Sequence, residues 1–140
     1  MNNLKNAQQM RRLLDQWSDN WQAEASRFAE SHRDLMPRRI TNSQLFGLVD
    51  KVRGAEQFHD VTAFLENQAT KAERTGRYDV QEFWRQLKGQ LSQLKTELKN
   101  LLKELPEQDN KKDKERLLIL LAGEYVRHLL AQSLFFGVER

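Results

Sequence analysis

Turn-forming residues are the scarcest resource in this sequence. Two prolines and six glycines are spread over 140 residues, whereas a β-sandwich or barrel needs a turn signal about every 8–12 residues. The chain cannot supply them, so long helices are the default. Its length is that of one ordinary domain, and seven Phe, three Trp and two Tyr are too many for a disordered segment. The expectation is an all-α fold, a five-helix bundle forming a single domain over residues 1–140. Cysteine is absent, which excludes disulfides, a thiolate nucleophile and cysteine-ligated zinc and fits a reducing cytoplasm. No apolar stretch follows Met1-Asn2-Asn3-Leu4-Lys5, so no signal peptide is expected. The longest apolar run, Leu117 to Ala122, falls short of the roughly 18 residues of a membrane span. A cytoplasmic protein without a membrane partner is expected.

Apolar spacing places the helices. Met10, Leu13, Leu14, Trp17, Trp21, Ala25 and Phe28 fall mostly three or four apart, one face of a first helix from about Leu4 to Ser31. Pro37 disfavours helix at Met36. Thr41-Asn42-Ser43-Gln44 has the form of a capping box, in which Thr41 and Gln44 bond each other's backbone amides. Leu45, Leu48, Val49 and Val52 continue a second helix, and Gly54 ends or bends it. Phe58, Val61, Phe64, Leu65 and Ala72 mark a third, closed by Gly76 in a left-handed cap. Asp79, expected as the cap of the fourth helix, precedes Val80, Trp84, Leu87, Leu91, Leu94, Leu98, Leu101 and Leu105, which alternate by four and three as a heptad seam. Pro106 stops it. Residues 106–114, Pro-Glu-Gln-Asp-Asn-Lys-Lys-Asp-Lys, have nothing to place in a core and predict a mobile loop. A fifth helix, from about Asp113 to Phe136, is apolar on every side for at least part of its length. Such a helix is buried between neighbours or covered by a partner, so a contact with a second copy is expected.

Catalytic signals are missing. The histidines are His32, His59 and His128, and none belongs to a His-Glu-x-x-His, Gly-x-Ser-x-Gly or phosphate-loop pattern. Glu124 and His128 stand one helical turn apart, but two ligands do not make a metal site. No catalytic residue, metal or cofactor is expected.

The charges are more informative. Lys and Arg exceed Asp and Glu by 23 to 20, a net charge of +3, which permits a nucleic-acid partner without demanding one. On the fourth helix, at about 100° per residue, Arg85, Lys88, Lys95, Lys99 and Lys103 share an arc of roughly 80° spanning about 27 Å of rise. Glu82, Glu97 and Glu104 lie on the other side. Phosphates are attracted to such a stripe without base recognition, and a solvated lysine face has the same pattern. Arg33, Arg38 and Arg39 crowd the connection beside Pro37, where they either clamp a phosphate or complement the end of the first helix. Arg77 and Arg53 complete the candidate contacts. Lys111, Lys112 and Lys114 read as solvated loop charges.

The segment Ile40-Thr41-Asn42-Ser43-Gln44-Leu45 resembles a signature of the small, all-helical subunit of type III CRISPR effector complexes, Leu/Ile-Thr-x-Ser-Lys/Gln-Leu/Ile-Arg at the start of a helix. Gly76-Arg77 is similar to the Gly-Arg that ends a helix in that family, and a long helix follows. A charged turn, Lys114-Glu115-Arg116-Leu117, then leads to a final apolar helix with Phe135-Phe136-Gly137 near its end. Order and spacing match over roughly residues 38 to 138. Phe46 stands where the family has arginine, Glu73 replaces an expected aromatic, and the first helix is longer than usual. The resemblance implies a non-catalytic antiviral subunit. Its copies would stack along an RNA-guided complex, contact other subunits, and touch the backbone of guide RNA and target with Lys and Arg. Arg77, the residue of the matched Gly-Arg, gains support from it as a contact. The rival is a helical adaptor or regulatory protein without a nucleic-acid role, using the heptad seam as its partner surface.

Overall fold

A computed structural model describes residues 2–103 and 111–139. Among the described residues there are five helices and no strand: α1 (Asn2–Ser31), α2 (Asn42–Arg53), α3 (Phe58–Arg74), α4 (Tyr78–Leu102) and α5 (Lys111–Glu139). α3 and α4 form an antiparallel hairpin and make the most extensive helix pair; α5 packs chiefly on α2 and α1. α2 runs antiparallel to α5, with Asn42 bonded to Ser133 at one end and Val52 against Gly123 at the other. α1 runs parallel to α5, joined by Ser26–His128 and a Trp21–Tyr125 stack with centroids 6.2 Å apart.

The helices meet in one hydrophobic cluster fed by all five. Leu87, Leu91, Leu94 and Leu98 of α4 are all buried in it. The heptad seam is therefore part of this chain's own core, satisfied mainly by α3 and less by α1 and α5. That removes it as the partner surface of the adaptor reading. From the expected α1 face, Trp21, Ala25 and Phe28 are buried and Trp17 packs at the edge of the cluster. Met10, Leu13 and Leu14 lie outside the described side chains.

The connections follow local chemistry. Thr41 caps α2 as expected: its Oγ1 accepts from the Gln44 amide at 3.2 Å, and its own amide donates to Gln44 Oε1 at 2.9 Å. Gly54 ends α2 in an ordinary right-handed conformation. α3 closes with the Gly76 amide on the Glu73 carbonyl and the Arg77 amide on the Ala72 carbonyl. This double bond pattern needs a left-handed residue, which Gly76 supplies at φ 71°.

Three features differ from expectation. Asp79 is not the cap of α4: Arg77 holds that position, because the bonds after Gly76 already turn the chain, and Asp79 sits inside the first turn. Residues 111–114 of the expected mobile loop belong to α5, and Glu115, which follows them, accepts the Phe58 amide at the start of α3. Residues 106–110 of that loop, with Glu104 and Leu105, lie outside the described residues. Finally, α5 over Lys114–Glu139 is long and apolar enough to cross a membrane by length and composition, with 50% of its most apolar window buried inside the bundle. The longest unbroken apolar run underestimates this because the interruptions are mostly uncharged.

Candidate nucleic-acid interface

The capped start of α2 and the Gly76 turn lie side by side, and this brings three of the expected arginines together. Arg38, Arg39 and Arg77 line an open cleft of about 380 Å³ with Thr41 and Gln44. Arg39 donates to Asp79 Oδ1 at 2.7 Å, and the same oxygen accepts the Val80 amide at 2.9 Å. Asp79 thus fixes Arg39 at the rim. Arg38 and Arg77 are exposed and make no ion pair among the described residues. The first amides of α2 have no carbonyl to bond within the helix, and its positive end adds to the arginine field. Thr41 and Gln44, which were not among the expected contacts, are part of this wall.

Arg33 leaves the expected arginine cluster. It pairs with Glu30 at 3.1 Å and with Glu139, and its guanidinium lies 4.8 Å from the Phe136 ring centroid. It fastens the end of α1 to the end of α5 rather than facing the cleft.

The α4 stripe is continuous along the helix but lies on the α3 side, where carboxylates meet it. Arg85 stands 3.9 Å from Glu66 and 3.7 Å from Glu73, and Lys88 stands 3.3 Å from Glu66. Lys95 lies 5.5 Å from the centroid of the Phe58 ring. Lys99 and Lys103 are exposed without an ion pair among the described residues. The half of the stripe nearer the cleft is therefore neutralised within the chain, and the far half is open. Exposed pairs of this kind contribute about 0–1 kcal/mol, so a phosphate can compete for them at modest cost. Arg53 sits elsewhere, at the far end of α2, in a cleft of about 780 Å³ with Glu56, Glu115, Arg116 and Leu120. About 18 Å of helix separate it from Thr41.

Two of the histidines are engaged in packing. His128 Nε2 is 2.7 Å from Ser26 Oγ, and His32 Nε2 is 2.7 Å from Gln86 Oε1. Among the described residues no three His, Cys, Asp or Glu side chains converge as metal ligands. Tyr125 is buried and donates to Gln90 Oε1 at 3.4 Å. Burial first, and the negative charge of Glu24 second, push its phenol well above the usual tyrosine range. No known protein family, curated protein or solved structure matches the chain.

Proposed function

We propose that this chain is a non-catalytic, cytoplasmic subunit of a type III CRISPR effector complex, and that it holds the sugar-phosphate backbone of guide and target without reading bases. The resemblance around Ile40–Leu45 and Gly76-Arg77 supplies the identity. The observation that carries the reading is the cleft where both matched segments meet and where Arg38 and Arg77 have no carboxylate partner among the described residues. A phosphate seated there meets two uncommitted guanidiniums and the start of a helix, a recurrent anion-binding arrangement. Lys95 and Lys99 continue the contact along α4, about 27 and 33 Å of rise beyond Arg77. Arg85 and Lys88 join only by exchanging Glu66 and Glu73 for phosphate. Other subunits and further copies of the chain complete the assembly.

The adaptor reading keeps one specific support, the apolar outer face of α5. The two readings separate in a titration of single-stranded RNA of random sequence over a range of salt. Three to five phosphate contacts predict a log–log slope of roughly −2 to −3.5, at about −0.7 per contact. Arg38→Glu with Arg77→Glu should weaken binding more than Lys88→Glu, whose parent lysine is already paired. Binding absent at low salt, or a larger loss from Lys88→Glu, rejects the cleft as the site.

A further inference from the structure

α5 carries a second heptad stripe, on the side turned away from the core. Leu120, Glu124, Arg127, Ala131, Leu134 and Val138 alternate by four and three, and all six are exposed, Leu120 at 56%, Leu134 at 42% and Val138 at 85%. α1 reaches α5 through Tyr125 and His128, and α2 through Gly123 and Ser133, so neither covers this stripe. Two charges interrupt it. Among the described residues, Arg127 donates only to the Gly123 carbonyl of its own helix, at 3.4 Å, and Glu124 has no ion-pair partner.

We propose that this stripe binds the same stripe of a second copy, with the two α5 helices antiparallel about a two-fold axis. The charges select both the occupant and the direction. Antiparallel helices with a 3.5-residue repeat can stack in layers that pair one heptad position with the other. With the axis between Glu124 and Arg127, Glu124 faces Arg127 of the second copy and Arg127 faces its Glu124. Leu120 then faces Ala131, and the exposed side of Leu117, which is half-buried against the chain's own core, faces Leu134. The two interrupting charges thus become two reciprocal ion pairs between apolar layers. A parallel in-register pair would set Glu124 beside Glu124 and Arg127 beside Arg127, which like-charge repulsion disfavours. The contact is isologous and closes at two copies, unlike the repeated stacking that the resemblance implies. It uses no residue of the arginine cleft and stands apart from the nucleic-acid reading. One helix face is below the size of a standard stable interface, so the free chain dimerises weakly, on the order of tens of micromolar or above.

Sedimentation equilibrium of the full chain from about 10 μM to about 1 mM tests this, in the concentration range expected for so small a contact. The wild type should pass from monomer toward dimer. Glu124→Arg places four cations in the central layers, and Arg127→Glu places four anions there. Each alone should weaken association at least about tenfold, with the helical circular-dichroism signal kept because both positions are exposed. An equimolar mixture of the two variants should recover association, because every central layer then pairs opposite charges. The double variant Glu124→Arg/Arg127→Glu should recover it too. A wild type that stays monomeric throughout overturns the proposal. So does association that ignores the reversals, or a mixture no stronger than its components. A monomer that instead floats with phosphatidylcholine vesicles would make the stripe a lipid surface and overturn it as well.

Discussion

α4 and α5 both carry leucines at heptad spacing, and they use them in opposite ways. Leu91, Leu94 and Leu98 of α4 are 0 to 3% exposed. Leu120, Leu134 and Val138 of α5 lie in the open. The difference comes from the rest of each helix's circumference. α4 is polar over most of its circumference outside the seam, so α3, with minor help from α1 and α5, covers most of its apolar surface. α5 is apolar nearly all round. α1 and α2 each cover one side, and a third apolar side is left over. A heptad pattern states that a stripe wants a partner; how much apolar surface the helix holds besides decides whether the chain itself provides one.

The largest expected effect breaks the α4 side of this comparison. Leu91→Ala and Leu94→Ala each remove a fully enclosed side chain and leave a cavity between helices. Each should lower unfolding free energy by about 2–5 kcal/mol, read by urea denaturation with an unchanged m-value. A loss below about 0.5 kcal/mol, the range of surface substitutions, would mean that the seam is not core.

Much of this was legible in the sequence, and the parts that were not share a cause. The seam of α4, the Thr41–Gln44 cap and the left-handed Gly76 are all fixed within a few residues, and each is found where spacing and residue type place it. The pairing of Arg85 and Lys88 with Glu66 and Glu73 depends on how α3 lies along α4, which no local pattern encodes. The same holds for Arg33, drawn to Glu139 at the far end of the chain, and for Glu115, drawn to the Phe58 amide. Asp79 misled because a capping residue is defined by where the backbone turns, and the Gly76 turn sets that point at Arg77, two residues earlier. The arginine cleft itself joins two segments some 35 residues apart, so the sequence held its parts without their meeting. For α5 the sequence showed an all-round apolar helix; which side stays uncovered follows only from where α1 and α2 pack.

A smaller effect sharpens the comparison from the buried side of α5. The Tyr125 phenol is held protonated in the folded chain by burial and by Glu24. In the unfolded chain it loses its proton near pH 10. The unfolded state therefore binds fewer protons than the folded one above that pH, and stability falls as pH rises. The loss is absent below about pH 9 and reaches on the order of 1 kcal/mol by pH 11. Tyr125→Phe should be less stable or equal at neutral pH, where the bond to Gln90 is lost, and should lack this component at high pH. Parallel stability–pH curves for the two proteins between pH 9 and 11 would show that Tyr125 is hydrated.

An effect of similar size concerns the outer stripe of the same helix. Leu134→Ser and Leu120→Ser remove side chains that are 42% and 56% exposed, so about half the transfer energy of a fully buried leucine, on the order of 1 kcal/mol, is lost. Serine costs only a few tenths of a kcal/mol of helix propensity against leucine. Both variants, measured dilute at a few micromolar, below the association range expected for a contact of this size, should therefore lose no more than about 1.5 kcal/mol against the parent. The modest dilute loss is informative because it belongs to the monomer alone. Near-millimolar protein is expected to be partly dimeric, and there the parent gains stability by mass action while the serine variants do not. Thermal melts at the two concentrations should therefore coincide for Leu134→Ser and separate for the parent. A dilute loss as large as that of Leu94→Ala would mean that Leu134 is buried by the chain itself, and the contrast between the two heptads would disappear.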